Sequence, residues 1–397
     1  MKHPTAPTRR VALPLLAALA CLALTGTAQA QIVKESSGTT KKSKGTPVTV
    51  MTRNLYLGAD LGPAIASTST ESFIEANGGI LRQVDATNFP VRAKGLAKEI
   101  LEKEPDLVGM QEVALWRSAA PSLGPVFSKM PAATTVKYDF LALLLAQLNK
   151  GRTHYLTVIV QPEFDFEAPA DANGIPGDGP GGTGLLANAE VNGRLTMRDV
   201  ILARVGAGVE ISKPESDQYT NQLVVKVAGS TEIPIARGWT SVVAKVRDSK
   251  PFKFVATHLE SFDDRNVYPS IRAQQAGELV APDGPATGKL PVVLVGDLNS
   301  DVKTETAIGD GQAYRVLLHA GFRERSTYKP LNCCIEESNF DLTGGNRSEF
   351  DHKVDHIMTN APKAVKLLSS GVTGRSQANG YWDSDHAGLY SVLNILR

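Results

Sequence analysis

Three Asp-His pairs near the carboxyl terminus carry side chains that can bind a metal ion or transfer a proton. The pairs are Asp351-His352 and Asp355-His356 in "EFDHKVDHIM", and Asp385-His386 in "SDHAGL". On a helix, His352 and His356 would lie one turn apart on one face, as they do in a zinc-binding helix. On a strand, neighbouring side chains point to opposite faces, so the members of a pair would serve different sites.

The segment around the second pair has the composition of a strand. "KVDHIMTN" is short, contains the β-branched residues Val354 and Ile357, and is closed by Pro362. These features favour a strand over a zinc-binding helix. We therefore expect Asp355 and His356 to face opposite ways, and we expect the first pair to lie in a loop without a chemical role.

Polar side chains of the same kinds stand at the ends of other apolar runs. They are Asn54 after "VTVMTR", Glu112 after "LVGMQ", His258 after "FVAT", Asp297 and Asn299 in "VVLVGDLN", Asp355 in "KVDHIM", and Asp385 with His386 before "AGLYSVL". Active sites of α/β proteins assemble where strand ends meet at one edge of a sheet. The sequence therefore predicts that these distant residues form one site.

Six of these motifs, in order along nearly the whole chain, resemble the endonuclease/exonuclease/phosphatase superfamily of DNase I-like enzymes. They are "TRNLY", "QEV", "THLES", "GDLNSD", "VDHIM" and "SDHAGL", of which "GDLN" and "SDH" are the most specific. The resemblance implies an α/β fold, a four-layer sandwich of two mixed β-sheets flanked by helices. It also implies a metal-dependent hydrolase of phosphoric esters.

The resemblance implies a metal site made of oxygen ligands. Glu112 corresponds to the main carboxylate ligand of a divalent ion, and Asn54 and Asp385 complete the cradle for metal and phosphate. Such an all-oxygen set suits the hard ions Mg²⁺ or Mn²⁺, which keep bound waters and bind phosphate directly.

The remaining matches imply catalytic and substrate-binding roles. Asp297 resembles the residue that activates or orients the attacking water, and Asn299 the one that holds a phosphate oxygen. His386 resembles the imidazole on the phosphate, with Asp355 orienting it, and His258 a second imidazole of DNase-like members. An imidazole held by a carboxylate has a fixed tautomer and a raised pKa, so it can stay protonated against phosphate.

Two charged residues depart from the family pattern or lie outside it. Where many members have Asn or a Gly-rich turn, "RDVILAR" has Asp199. We place Asp199 with the substrate-binding residues, since a carboxylate there can ligate a metal or pair with His258, although it would repel phosphate without metal. Arg237 of "IARGW" is either a phosphate-binding cation or a strand-edge arginine in a surface ion pair.

The elements that must position these residues alternate between short strands and helices. The pattern predicts helices at 90–105, 138–149, 268–281 and 313–321, with hairpin-like strands clustered between the second and third. This arrangement is typical of an α/β domain with mixed sheets. No second linker follows, so one domain is expected over residues 47–397.

The amino terminus has the features of an export signal. A basic start, a short apolar run and the small-residue site Ala28-Gln29-Ala30 predict a signal peptide at 1–30, cleaved after Ala30. Residues 31–46 are polar and rich in Gly, Ser and Lys, as in a flexible leader. We therefore expect a secreted or periplasmic protein with no transmembrane span.

Charge and cysteine content narrow the possible partners. Cleavage removes Lys2, Arg9 and Arg10 from the 42 basic residues and none of the 41 acidic ones, so the mature chain has 39 − 41 = −2 net charge. The chain is therefore not a polycation that binds nucleic acid through bulk charge. Cys333 and Cys334 are adjacent, which favours two small loop residues over a strained vicinal disulfide or a soft-metal site.

The sequence leaves the substrate open between several phosphoesters. We expect a phosphodiesterase acting on nucleic acid or a phospholipid-type diester, and a monomer. The alternatives are a phosphomonoesterase on the same fold and a catalytically silent binding module. The intact set of six motifs favours activity over the silent module.

Overall fold

The computed structural model describes residues 45–180, 184–262, 268–301, 311–335 and 341–397. The predicted signal peptide and all but two residues of the predicted leader lie outside this part of the chain. The first strand begins at Gly45, two residues before the expected start of the domain. Gly45 and Thr46 belong to that strand because they pair with Leu396 and Ile395 of the last one.

The first sheet is mixed and has eight strands. They are β1 (Gly45–Asn54), β2 (Leu107–Gln111), β3 (Leu115–Ala119), β4 (Thr135–Asp139), β5 (Tyr155–Ala170), β6 (Val191–Arg204), β15 (Val365–Thr373) and β16 (Gly388–Leu396). Their spatial order is β15-β16-β1-β2-β6-β3-β4, and β5 also pairs with β6. β1 and β2 are parallel, so their carboxyl ends meet at one edge.

A second mixed sheet has six strands, and a separate hairpin has two. The six are β7 (Val209–Gln218), β10 (Gly238–Val246), β11 (Phe252–His258), β12 (Val292–Asp297), β13 (Arg323–Glu324) and β14 (Asp355–Thr359). Their order is β13-β14-β12-β11-β10-β7. The hairpin joins β8 (Leu223–Val227) to β9 (Thr231–Ile235) as a two-stranded antiparallel sheet.

The two large sheets pack face to face through a buried apolar layer. Val50 and Leu107 of the first sheet share this layer with Phe254 of the second. At Gly109 the approach is so close that a Cβ would lie 2.7 Å from the Ala256 Cβ. Only glycine fits between the sheets at this position.

Helices cover the outer faces of both sheets. The helices of the described residues are α1 (Gly62–Ile65), α2 (Thr70–Ala86), α3 (Phe89–Lys103), α4 (Gly124–Ser128), α5 (Phe140–Leu148), α6 (Ile271–Val280) and α7 (Gln312–His319). Phe73, Leu96 and Leu144 pack α2, α3 and α5 into the core of the first sheet, and α6 and α7 pack on the second. The predicted four-layer α/β sandwich is confirmed. No helix in this part of the chain is long and apolar enough to cross a membrane.

Helix α2 is the long element that the apolar pattern did not predict. It begins with a capping box in which Ser69 accepts from the Ser72 amide while the Ser72 hydroxyl accepts from the Ser69 amide. Serine at both positions is a weaker signal than the usual Ser or Thr followed by Glu or Gln. The helix packs against β5 and forms one wall beside the site described next.

Candidate active site

The predicted site residues meet at one edge of the sandwich, where strands from both sheets end. Asn54 is the last residue of β1, and Glu112 follows β2 directly. His258 and Asp297 end the parallel strands β11 and β12, and they are paired neighbours. Asp355 begins β14 opposite Asp297, because β14 is antiparallel to β12.

Asn54 joins carboxylates from the two sheets. Its Nδ2 donates to Glu112 Oε1 at 2.9 Å and to Asp297 Oδ2 at 3.0 Å, while its Oδ1 accepts from the Tyr56 amide at 2.8 Å. Glu112 Oε2 accepts from the Leu57 amide at 2.7 Å. These bonds fix Glu112, whose φ of 55° lies in the left-handed region that is sparse for residues other than glycine. Direct contact of Asn54 with metal or substrate stays a prediction.

His386 and Asp355 form a buried imidazole–carboxylate pair. His386 Nδ1 lies 2.8 Å from Asp355 Oδ2, and its Nε2 lies 3.7 Å from Asp297 Oδ2. Burial opposes a charge on the imidazole, but Asp355, Asp385 and Asp297 together raise the pKa of His386 well above its ordinary value. The imidazole is therefore protonated at neutral pH, and its Nε2 carries a proton that can be donated to an anion.

Asp297 also holds a proton more readily than an exposed carboxyl does. Burial raises its pKa, and Asp355 adds to that effect, although His386 and the donors Asn299 and Asn54 lower it. Its Oδ1 accepts from the Asn299 amide at 2.9 Å. Asn299 Nδ2 donates to the Leu259 carbonyl at 2.9 Å, which leaves a second hydrogen on that nitrogen.

Five of the predicted residues line one cavity of about 540 Å³. They are Glu112, Asp297, Asn299, Asp385 and His386. Among the described residues, Asn54, Asp355, His258 and Asp199 are not part of the cavity wall. Asn54 and Asp355 instead contact residues of the cavity wall, and these contacts hold the wall residues in position.

A model of the Endonuclease/Exonuclease/phosphatase family matches residues 76–386, which is more than half of the chain. The chain belongs to the endonuclease/exonuclease/phosphatase family. Members of this family are phosphoester hydrolases, and this protein is an enzyme of that class. Comparison with curated protein sequences finds no significant match.

Solved structures of the endonuclease/exonuclease/phosphatase family are similar to this chain at low sequence identity. A family protein from Leptotrichia buccalis is 15% identical, with 88% of this chain and 100% of that chain covered and a TM-score of 0.50. A mannosyl-6-phosphatase from Bacteroides thetaiotaomicron is 17% identical, with 87% and 99% covered and a TM-score of 0.46. The human Nocturnin catalytic domain is 14% identical, with 88% and 93% covered and a TM-score of 0.47. At 15% identity and a TM-score of 0.50, the likeness to the Leptotrichia buccalis protein shows the fold alone.

The second imidazole of this endonuclease/exonuclease/phosphatase protein lies against a buried arginine. Arg237 Nη1 is 3.0 Å from His258 Nδ1, and Nη2 reaches Ser261 Oγ at 3.0 Å and Glu260 at 3.4 Å. Arg237 is only 4% exposed and lines the cavity, so the alternative of a surface ion pair is wrong. Burial, followed by Arg237 and His386, holds the pKa of His258 well below its ordinary value. His258 is therefore a neutral imidazole.

Asp199 lies behind the cavity wall together with an acid that the sequence did not single out. Neither oxygen of Asp199 or of Glu163 accepts a hydrogen bond from the described residues. Burial raises the pKa of Asp199 well above its ordinary value, with Asp297 and Glu112 adding to the shift and Arg237 opposing it. Contact of Asp199 with substrate stays a prediction. Glu163 stands in the apolar stretch "PEFDF", and no spacing in the sequence marks it.

The first two Asp-His pairs differ from each other in their surroundings. The second pair lies in strand β14, where neighbouring side chains point to opposite faces. His356 Nδ1 bonds Glu324 Oε2 at 2.7 Å on the face opposite Asp355. Asp351 and His352 bond each other outside any helix, with side chains 66% and 40% exposed. The prediction of a strand instead of a zinc-binding helix is confirmed.

Cys333 and Cys334 are joined to each other by a disulfide beside the His386 imidazole. Both sulfurs lie 3.7 Å from His386 Nε2. The expectation of two unlinked small residues in a loop is wrong.

The residues predicted to hold a divalent ion have the right chemistry for one. Family members generally use a divalent metal. Burial raises the pKa of Glu112, and Asp385 is the next largest cause, so two acids repel each other in a buried site. A cation between them would relieve that repulsion, and oxygen ligands suit Mg²⁺ or Mn²⁺. Asp297, Asp355 and His386 are also close enough to share an ion, but the Asp355–His386 hydrogen bond occupies that pair.

Proposed function

We propose that the protein is a secreted, divalent-metal-dependent phosphodiesterase that hydrolyses nucleic acid or phospholipid-type diesters by metal-assisted attack of water. The observation that carries the proposal is the arrangement around one cavity. A protonated imidazole, a carboxylate with a raised pKa and a pair of mutually repelling acids all face the same space.

Different residues of the protein have different roles in the proposed hydrolysis. Asp297, with its raised pKa, takes the proton of the attacking water as the water oxygen bonds to phosphorus. The ester P–O bond breaks, and the leaving oxygen takes a proton from solvent. His386 donates from Nε2 to a phosphoryl oxygen, and Asp355 holds the ring through Nδ1 while it does so. The second hydrogen on Asn299 Nδ2 is available to another phosphoryl oxygen. Mg²⁺ or Mn²⁺ held by Glu112 and Asp385 would neutralise charge on the non-bridging oxygens.

A substrate panel with and without metal tests this proposal. The panel comprises DNA, RNA, sphingomyelin, phosphoinositides, bis(4-nitrophenyl) phosphate and 4-nitrophenyl phosphate, each with Mg²⁺ and with EDTA. We expect turnover of at least one diester, with EDTA lowering it by about 100-fold or more and added Mg²⁺ or Mn²⁺ restoring it. Turnover that survives EDTA would contradict metal dependence, and turnover of monoesters alone would contradict a diesterase.

Export is the second part of the proposal. It is supported by the basic start, the apolar run and the small-residue site that precede Gln31. Expression of the full chain in a bacterium with a Sec pathway should yield an exported protein whose first residue is Gln31. Sequencing of the exported protein from its amino terminus measures this directly, and an exported chain that still begins at residue 1 would refute it.

A further inference from the structure

The cavity extends from the catalytic residues into a region with mostly apolar walls. Phe73 of α2, Trp116 of β3, Phe164 of β5, Leu195 of β6 and Ile233 of β9 line it there. We call this part of the cavity the apolar chamber. Its catalytic end carries Glu112, Asp297 and His386, so the phosphate site and the chamber share one continuous space.

The cavity that contains the apolar chamber is too large to be a packing defect. Protein interiors are packed as densely as organic crystals and contain few voids larger than a water molecule. The whole cavity has a volume of about 540 Å³, within the range of roughly 300 to 1,000 Å³ typical of pockets that enclose small ligands. The cavity therefore has the size of a pocket that encloses a small ligand, and it lies next to the proposed catalytic groups.

The β8–β9 hairpin closes the chamber with one apolar face. Val225 and Val227 of β8 and Ile233 of β9 point into the chamber, while Val224 on the other face is 54% exposed. This alternation follows from the period of two in a strand. The hairpin pairs with neither large sheet, so these side chains attach it to the domain.

Polar contacts fix the hairpin at both ends. At its tip the Ala228 amide donates to Ser67 Oγ at 3.1 Å, next to α1. At its base the Glu278 carboxylate of α6 accepts from the amides of Thr220 and Asn221 at 2.8 and 2.9 Å. These hydrogen bonds therefore hold the hairpin wall of the chamber in place.

We propose that the apolar chamber binds a hydrocarbon chain joined to the phosphate through an alcohol oxygen, so that the substrate is a phosphodiester of a long-chain or lipid-type alcohol. This inference rests on the proposed phosphodiesterase function and narrows its substrate class. A chain tethered to a phosphate at His386 and Glu112 would enter the chamber directly, because the two regions are continuous. Burial of methylene groups against Val, Ile, Leu and Phe side chains then supplies the affinity.

A nucleoside fits the chamber less well than a hydrocarbon chain. Its sugar hydroxyls and base edges need hydrogen-bond partners when they are buried. Asn77 is one of the polar side chains in the wall away from the phosphate site, and one of the two hydrogens on its Nδ2 is donated to the Pro169 carbonyl. Walls of valine, isoleucine and phenylalanine would leave the hydroxyls and base edges of a nucleoside without hydrogen-bond partners. A nucleotide substrate is therefore the competing outcome of the experiment.

A chain-length series of synthetic diesters tests the proposal in the wild-type protein. The substrates are 4-nitrophenyl alkyl phosphates with methyl, butyl and octyl groups, kept below their micellar concentrations, with Mg²⁺. Each methylene buried should raise kcat/KM by roughly threefold to fourfold. We expect the octyl ester to exceed the methyl ester by at least about tenfold, and also to exceed the 4-nitrophenyl ester of thymidine 5′-phosphate.

A matched pair of variants locates the effect in the chamber. Val225→Phe fills the chamber, and we expect it to lower kcat/KM for the octyl ester by about tenfold while the methyl ester stays within about twofold. Val224→Phe makes the same change on the exposed face of the same strand and should alter neither value. If Val225→Phe does not fold, Ile233→Phe tests the same wall of the chamber from β9.

The outcomes separate failure of this inference from failure of the proposed function. Turnover that is independent of chain length, or that is fastest with the thymidine ester, would overturn the inference and leave the phosphodiesterase standing. If no ester is turned over, the proposed function fails. Calorimetry with methylphosphonate and octylphosphonate then still tests the chamber: tenfold tighter binding of the octyl compound supports it, and equal binding overturns it.

Discussion

Replacement of His386 by alanine is expected to lower kcat by about 10² to 10⁴, or roughly 2.7 to 5.5 kcal/mol of transition-state stabilisation. The imidazole is buried beside Asp297 and has a pKa raised well above its ordinary value by three carboxylates. It therefore brings a full positive charge to the phosphoryl oxygen where negative charge develops. Steady-state kinetics on bis(4-nitrophenyl) phosphate with saturating Mg²⁺ measures the loss.

The partner Asp355 is expected to act through His386 and not on its own. Its Oδ2 holds His386 Nδ1 at 2.8 Å, which fixes the ring and its charge. Asp355→Ala should therefore cost less than His386→Ala, and the double variant should lose far less than the product of the two. Losses that multiply would show that the two residues act independently.

His352 provides the matched control for this experiment. It also sits beside an aspartate, but its side chain is 40% exposed and lies outside the cavity wall. His352→Ala should leave turnover within about threefold of wild type, or roughly 0.7 kcal/mol. A hundredfold loss there would revive a metal role for the first pair, and near-wild-type turnover of His386→Ala would contradict the assigned site.

The second large effect is expected on metal binding. Glu112→Gln removes a negative charge from the cradle and should weaken Mg²⁺ or Mn²⁺ by at least about tenfold, or 1.4 kcal/mol. Glu112 now accepts hydrogen bonds from Asn54 Nδ2 and from the Leu57 amide. The side-chain NH₂ group of a glutamine would place a donor against one of these two donors. Calorimetric titration with Mn²⁺ measures the affinity, and the melting temperature checks that the fold survives.

Glu102→Gln is the control for the loss of one negative charge from the protein. Glu102 is 55% exposed on α3 and pairs with Lys98 one turn away, so the same substitution there should leave metal binding unchanged. An unaltered titration in a folded Glu112→Gln protein would mean that the ion is held elsewhere. An equal loss in both variants would point to a long-range charge effect.

The sequence determined the residue types of the site and the edge at which they meet. The polar residues stand at the ends of apolar strands, and strand ends are exposed at sheet edges whatever the loops between them do. The alternation of a strand likewise required Asp355 and His356 to serve different neighbours, as they do with His386 and Glu324. Local periodicity was sufficient for these predictions.

The contacts between these residues were decided by the tertiary structure. Asn54 bridges Glu112 and Asp297 across 58 and 243 positions of sequence, which no local pattern encodes. Arg237 is buried against His258 because β10 and β11 are neighbours in the second sheet, whereas the sequence alone allowed a surface position. The apolar chamber is the clearest case, since its walls come from α2, the strands of the first sheet and a separate hairpin. Each wall segment has an ordinary apolar pattern, and only the way they pack leaves a space between them beside the phosphate site.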